Sequence, residues 1–165
     1  MQDLAELNAR IGITGAFQNH SGNYLGAPVW DLKEVLEGIA ENNLGVQYDI
    51  MHATVEGAQS WQLGFELVKA HINSLVVKDF KWIEEKGKWK RVYTPLGEGM
   101  VDFDSYFKFL KKYKIEQPIS LHFEYDLGRA EKGKIPIIDK EIIFANLKKD
   151  LLFFKNTWDR VVNSD

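Results

Sequence analysis

The sequence predicts an α/β fold in which parallel strands alternate with helices. Short apolar runs of strand length recur along the chain. Most of these runs are followed by a segment whose apolar residues are spaced as on one face of a helix. Polar residues collect where the runs end. This alternation is typical of βα units that build a parallel sheet covered by helices.

The first strands and helices follow from this pattern. Residues 3–9 are expected to end a helix that Gly12 closes, because Gly readily takes the left-handed conformation that follows a helix. Residues 13–20 and 44–50 are apolar runs of strand length. Between them, residues 31–40 predict a helix from the spacing of Leu32, Val35, Leu36 and Ile39.

The middle of the chain adds a helix, a strand and a hairpin. Residues 61–72 again have helical spacing, and residues 75–80 are an apolar strand that ends in charge. Residues 82–93 predict a charged hairpin that turns at Lys86-Gly87.

The last part of the chain predicts two helices and one strand. Residues 102–114 form a helix with apolar positions at Phe103, Tyr106, Phe107 and Leu110. Residues 119–125 form a fourth strand, and residues 140–162 form the last helix. Four βα units are therefore expected.

Composition limits the kind of protein. The 165 residues suit a single domain over residues 1–165, and a net charge of −3 gives no electrostatic case for nucleic acid. No apolar run approaches the roughly 20 residues that span a bilayer. The first residues lack the pattern of a signal peptide, and there is no cysteine for disulfides or thiolate chemistry. We expect a cytoplasmic protein without a membrane partner.

Polar residues cluster where the predicted strands end. The set comprises Gln18, Asn19, His20, Asp49, His52, Lys78, Asp79, His122, Glu124 and Asp126. In parallel α/β folds, ligands bind beyond the carboxyl ends of the strands. The clustering therefore predicts that the chain is an enzyme or descends from one.

Four segments resemble strand-end motifs of the xylose isomerase-like sugar phosphate isomerases and epimerases. Asp49-Ile50-Met51-His52 is similar to their Asp-x-x-His strand end, and Val76-Val77-Lys78-Asp79 to their His-x-Lys-Asp strand. Gly97 to Phe103 resembles their Gly-x-Gly-x-x-Asp-Phe run. Pro118 to Tyr125 resembles their eighth strand, which ends in a glutamate.

The resemblance implies strands five to eight of a TIM-like (β/α) barrel, in a chain that is apparently truncated at its N-terminus. A closed barrel of this kind has eight strands and no edges. We therefore expect a shortened relative, a fragment of a longer chain, or a half-barrel. In the last case a homodimer would complete or cover the barrel.

The resemblance also implies a metal site and a set of catalytic roles. Asp49, Glu124 and Gln18 stand at metal-ligand positions, but Gln18 replaces a glutamate and Val76 replaces a histidine ligand. Such oxygen and imidazole sites suit Mn²⁺, Mg²⁺, Co²⁺ or Zn²⁺. Glu124 would move a proton, Lys78 would stabilise negative charge on oxygen, and His52 would orient the substrate.

The expected function is isomerisation or epimerisation of a keto sugar or sugar phosphate. Gln18, His20 and His122 are the expected substrate-binding residues. Two alternatives stay open: a lyase in which Lys78 forms a Schiff base, and a carbohydrate-binding relative without catalysis. Asp49 and Lys78 also suit a structural ion pair, and the charges between Glu84 and Arg91 suit a solvated hairpin.

Overall fold

The computed structural model describes residues 1–163. Six helices of one turn or more and six strands lie in this range: α1 (Gln2–Ile11), β1 (Gly15–Gln18), α2 (Trp30–Val35), β2 (Leu44–Asp49), α3 (Ile50–Gly57), α4 (Trp61–Val68), β3 (Ile72–Val77), β4 (Asp79–Glu85), β5 (Lys88–Thr94), α5 (Phe103–Tyr113), β6 (Ile119–Leu121) and α6 (Lys140–Val162). Within that described range, no helix combines the length and the apolar character needed to cross a membrane.

The chain divides into two compact units. The first comprises Met1–Val77 and Tyr113–Ser120, and the second comprises Lys78–Lys112 and the chain from Leu121 onward. The expectation of a single domain over residues 1–165 stays a prediction, because compactness alone does not show which parts fold independently.

A four-stranded sheet forms the centre of the first unit, in the order β1-β2-β3-β6. β2 pairs in parallel with β1 on one side and with β3 on the other. Leu44, Val46 and Tyr48 of β2 are all buried. The Tyr48 ring packs edge-on against Phe65 of α4, with 5.0 Å between the ring centroids. The predicted parallel α/β sheet is therefore confirmed.

One helix of the first unit was missing from the sequence prediction. α3 begins at Ile50, directly after the last residue of β2, and Asp49 caps it by accepting the backbone N–H of His52. Its first residues, including Ile50 and Met51, are apolar and buried. They therefore extend the strand pattern with no turn residue to separate strand from helix, and the periodicity cannot show the boundary.

Several element boundaries also differ from the prediction. β1 and β6 are shorter than the predicted strands at residues 13–20 and 119–125. β3 begins at Ile72 and ends at Val77, so the charged end of the predicted strand at residues 75–80 belongs to the hairpin instead. α4 stops at Val68, where a short 3₁₀ turn, Lys69–His71, leads into β3.

The second unit contains the β4–β5 hairpin and a cluster of aromatic residues between helices. The hairpin turns at Lys86 and Gly87, as predicted, and both have positive φ, which is typical of a type I′ turn. Phe107 of α5 contacts Phe154 and Trp158 of α6, with ring centroids 5.2 and 5.3 Å apart. The predicted apolar stripe of α5, which includes Phe107, thus packs against α6 in the core of this unit.

Candidate functional site

The site residues predicted from the sequence form two groups, one in each compact unit. Gln18, His20, Asp49 and His52 belong to the first unit. Lys78, His122 and Glu124 belong to the second. Each group follows the carboxyl ends of strands, as parallel α/β topology predicts.

Asp49 is the centre of the first group and has no exposed surface. Its Oδ2 accepts a hydrogen bond from Gln18 Nε2 at 2.9 Å, and its Oδ1 accepts the backbone N–H of His52 at 3.1 Å. Asn19 binds the backbone of the same residue twice. Asn19 Oδ1 accepts the Asp49 N–H at 2.7 Å, and Asn19 Nδ2 donates to the Asp49 carbonyl at 3.0 Å. These bonds fix the end of β1 beside the end of β2.

His52 is also fully buried, and it fixes the loop that follows β1. Its Nδ1 lies 2.7 Å from Ser21 Oγ, while its Nε2 lies 3.7 Å from Asp49 Oδ2. His20 packs on the His52 ring with 4.1 Å between centroids, and Tyr24 meets the edge of His20. The order Ser-His-Asp resembles a hydrolase triad. The burial of Ser21, however, favours a positioning role over attack on a substrate.

The donor set around Asp49 does not fit a metal ion. Both carboxylate oxygens of Asp49 accept hydrogen bonds, and the Gln18 side chain is placed with its amide nitrogen toward Asp49. Val76 brings no donor atom. Over residues 1–163, no three or more His, Asp or Glu side chains are grouped as a metal site requires. Binding of a metal by Asp49, Glu124 and Gln18 stays a prediction, and no chemical step below depends on it.

Restoring the glutamate at position 18 tests how Asp49 is stabilised. Gln18→Glu replaces a donor 2.9 Å from a buried carboxylate with a second carboxylate. Since two such groups cannot both ionise at low cost, we expect a loss of about 2 kcal/mol in the free energy of unfolding at pH 7. The loss should shrink at pH 4, where the pair can share a proton. Urea unfolding at both pH values measures it, with Gln18→Leu as the uncharged control.

A loss that Gln18→Glu and Gln18→Leu share, and that does not depend on pH, would contradict this account. The same two variants, unfolded with and without added Mn²⁺, also test the metal prediction. Stabilisation of Gln18→Glu alone by the cation would show that the position can still serve as a ligand.

Glu124 and Lys78 are the centre of the second group. Lys78 is buried, and its Nζ donates to Glu124 Oε1 at 2.8 Å. His122 Nδ1 lies 3.7 Å from the same oxygen, and Lys78 Nζ lies 5.8 Å from the centre of the Tyr93 ring. The Glu124 side chain keeps 34% of its surface exposed. A carboxylate that solvent can reach and a buried ammonium therefore share one hydrogen bond.

His122, Lys78 and Tyr93 hold the pKa of Glu124 well below its usual range, although partial burial acts in the opposite direction. His122 contributes most, followed by the hydrogen bond and charge of Lys78 and by the Tyr93 hydroxyl. Lys78 is the closer donor, at 2.8 Å from Glu124 Oε1 against 3.7 Å for His122. Glu124 is accordingly ionised at neutral pH.

A pocket of about 520 Å³ lies against Glu124 in the second unit. Its volume is in the range of small-molecule sites. Arg91 and Tyr93 of β5 form part of its wall, and Asp126 and Arg129 lie in the wall beyond β6. Arg129 has a φ of 82°, an unusual backbone conformation for a residue with a side chain. Carboxylate, guanidinium and hydroxyl groups around one volume suit a ligand with many hydroxyl groups.

Asp79 does not face a substrate but holds a loop. It is buried, and its two oxygens accept four backbone N–H groups, from Phe80, Gly97, Gly99 and Val101, at 2.8 to 3.1 Å. Gly99 is needed because a Cβ there would lie 2.2 Å from Asp79 Oδ1. The Gly-rich run is thus wrapped around a carboxylate of the chain itself.

Sequence reasoning missed two residues that complete these groups. Ser21 contacts His52, and Tyr93 lies in the pocket wall with Glu124 and lowers its pKa. Ser21 lies in a loop and carried no periodic signal, and Tyr93 was assigned to the charged hairpin at residues 82–93. Asn19, which binds the backbone of Asp49, was among the strand-end residues that the sequence indicated.

Comparisons with known proteins agree with this fold. The family model described as a xylose isomerase-like TIM barrel matches residues 1–142. A xylose isomerase domain protein from Planctomyces limnophilus has 20% sequence identity and a TM-score of 0.69, over 99% of this chain and 51% of that one. The probable 3-DHS dehydratase AsbF of Bacillus anthracis, involved in petrobactin synthesis, has 19% identity and a TM-score of 0.61, over 78% of this chain and 48% of that one.

This chain therefore spans about half the length of the solved structures that it matches. No curated protein matches it. At these identities the solved structures show a shared fold, whereas the family model covers most of the chain and carries the assignment. The chain belongs to the xylose isomerase-like TIM-barrel family.

Proposed function

We propose that this protein moves a proton on a carbon next to the carbonyl of a keto sugar, as an isomerase or epimerase. The observation that carries the proposal is the Lys78–Glu124 hydrogen bond beside a polar pocket. The reaction needs a carboxylate to accept the proton and a cation to stabilise the enediolate oxygen that develops. Lys78 and Glu124 provide these two groups within 2.8 Å of each other.

The strong pairing of the two groups has a chemical consequence. A carboxylate whose pKa is far below its usual range is a weak base, so Glu124 gains basicity only when Lys78 leaves it. We propose that the sugar carbonyl oxygen takes over the Lys78 hydrogen bond. Glu124 then removes the adjacent carbon-bound proton, while negative charge develops on the oxygen that Lys78 holds. In isomerisation, Glu124 returns the proton to the neighbouring carbon while the adjacent hydroxyl proton moves to the oxygen that Lys78 holds. In epimerisation, a proton from solvent reaches the same carbon on its opposite face.

The Schiff-base alternative is less well supported by the same geometry. The Lys78 amino group donates to Glu124 at 2.8 Å and has a side chain that is only 4% exposed. Attack on a carbonyl carbon would first require this hydrogen bond to break and the nitrogen to lose a proton. Proton transfer uses the pair in the charge states that it already has.

Exchange of a carbon-bound proton with solvent tests the proposal directly. The protein is incubated in D₂O with fructose, psicose and their 6-phosphates, and with xylulose and its 5-phosphate. Proton NMR follows the hydrogens next to each carbonyl. We expect enzyme-dependent exchange with at least one ketose, and no covalent adduct after borohydride treatment. A borohydride-trapped adduct at Lys78 would replace proton transfer with the lyase mechanism. The absence of both exchange and adduct would favour a carbohydrate-binding relative without catalysis.

A further inference from the structure

The β4–β5 hairpin presents two tryptophans on one face. Trp82 is paired with Arg91 across the strands, and Glu84 is paired with Trp89. Residues directly opposite each other, and residues two apart on one strand, share a face of an antiparallel pair. The four side chains therefore form a square, here called the hairpin platform, with indole rings on one diagonal and charged groups on the other.

The two rings of the platform are exposed. Trp82 keeps 40% and Trp89 keeps 70% of its surface, and Met100 beside them keeps 56%. These three residues line a shallow depression of about 440 Å³. Exposed apolar surface of this kind usually marks a binding site, because water solvates it poorly.

The backbone that carries Met100 is held in place before any ligand binds. The Met100 N–H donates to the Phe80 carbonyl of β4 at 2.7 Å. Its two neighbours, Gly99 and Val101, are both held by the Asp79 carboxylate. Met100 is therefore positioned by hydrogen bonds on both sides, and a ligand would not have to order the loop on binding.

We propose that the hairpin platform binds the pyranose rings of an oligosaccharide. A pyranose has an apolar C–H face that can stack on indole and a rim of hydroxyl groups that bond to carboxylate and guanidinium. The alternation of ring and charge over the square matches that pattern. Protein interfaces are also enriched in Trp, Met and Arg but depleted in Glu, so Glu84 is the member of the square that favours a sugar over a protein partner.

The direction of β5 indicates how such a ligand lies. Trp89, Arg91 and Tyr93 lie on one face of the strand, and Tyr93 lines the same pocket as Glu124. At about 3.4 Å per residue, Trp89 and Tyr93 are roughly 14 Å apart along the strand, which is more than one sugar ring spans. A ligand of several rings would extend from the platform toward Glu124. This orientation rests on the proposed function, whereas binding to the platform does not.

The test uses soluble hexasaccharides of glucose, mannose and xylose, together with the three monosaccharides. Calorimetry and tryptophan fluorescence follow binding to the full chain. We expect saturable binding of at least one hexasaccharide, with a dissociation constant at least about tenfold below that of its monosaccharide. Trp82→Ala and Trp89→Ala should each weaken binding about tenfold, and Trp89→Tyr should stay within about threefold because it keeps a stacking ring.

Trp30→Ala is the matched control, since Trp30 is exposed but lies on α2 in the first unit. It should bind the hexasaccharide as the wild type does, and circular dichroism checks that every variant is folded. The proposal is overturned if no hexasaccharide binds, or if Trp89→Ala binds as well as the wild type. Because binding needs no turnover, a bound glycan without proton exchange would overturn the proposed function and leave the platform intact.

Discussion

Asp79→Ala is expected to lower the free energy of unfolding by about 4 kcal/mol or more. Four backbone N–H groups lose their acceptor, and hydrogen bonds to a charged group contribute about 1.5–3 kcal/mol each. Burial of the carboxyl group raises its pKa and opposes part of this gain, while the four N–H donors lower the pKa. Water can reach some of the freed donors, so the loss should be smaller than a simple sum.

Two further variants separate the role of the acceptor from that of the charge. Asp79→Asn keeps one oxygen but turns an NH₂ group toward two backbone donors, so we expect roughly half the loss of the alanine variant. Asp102→Ala is the matched control. Asp102 accepts the N–H and the hydroxyl of Ser105 at the exposed start of α5, and its removal should cost about 1 kcal/mol.

Urea unfolding followed by circular dichroism measures all three variants. If Asp79→Ala cost no more than Asp102→Ala, the Asp79 contacts would be surface contacts that water can replace, and the loop would not depend on them. If the prediction holds, Asp79 is the residue that shapes the Gly97–Val101 loop.

The fold could be predicted well from the sequence, because buried parallel strands appear as short apolar runs. Strands such as β2 and β3 are mostly buried, and helices such as α5 bury one apolar stripe. α3 was not predicted, because its buried first turn continues the apolar run of β2. The division into two compact units could not be predicted from the sequence either, since no linker composition marks the boundaries at Lys78 and Tyr113.

The site was predictable in its main residues and not in their partners. Strand-end positions nominated Asp49, Lys78 and Glu124, because topology fixes where strand ends lie. Topology does not determine which hydrogen bonds form at the strand ends. Asp49 caps a helix and Asp79 holds a loop, and both do so by accepting backbone N–H groups. These N–H groups point toward the carboxylates only in the folded chain.

Glu124→Gln is expected to reduce proton exchange at least about 100-fold, because the amide cannot accept the carbon-bound proton. The substitution keeps the shape of the side chain, so sugar binding should change by no more than a few-fold. Glu98→Gln is the matched control. It also removes a carboxylate that pairs with a lysine, Lys149, but this ion pair lies on the surface of the second unit and outside the pocket.

The pH dependence gives an independent check on the same group. In the wild type, His122 and Lys78 depress the Glu124 pKa in the free protein. At sugar concentrations far below saturation, exchange should therefore not fall until the pH is well below the ordinary Glu pKa of 4.5. The stability of the fold is expected to change with pH in the same direction. The contribution of the depressed pKa is present above the unfolded value and is lost as the pH falls through the folded one.

Lys78→Met removes both the hydrogen bond and the charge, so the Glu124 pKa should rise toward its ordinary value and the acid limb of exchange should move to higher pH. The rate on the plateau should also fall, since no cation then faces the developing oxyanion. NMR exchange rates between about pH 3 and 8 measure both effects. An unchanged acid limb in Lys78→Met, or exchange by Glu124→Gln within about threefold of the wild type, would place the base elsewhere in the protein.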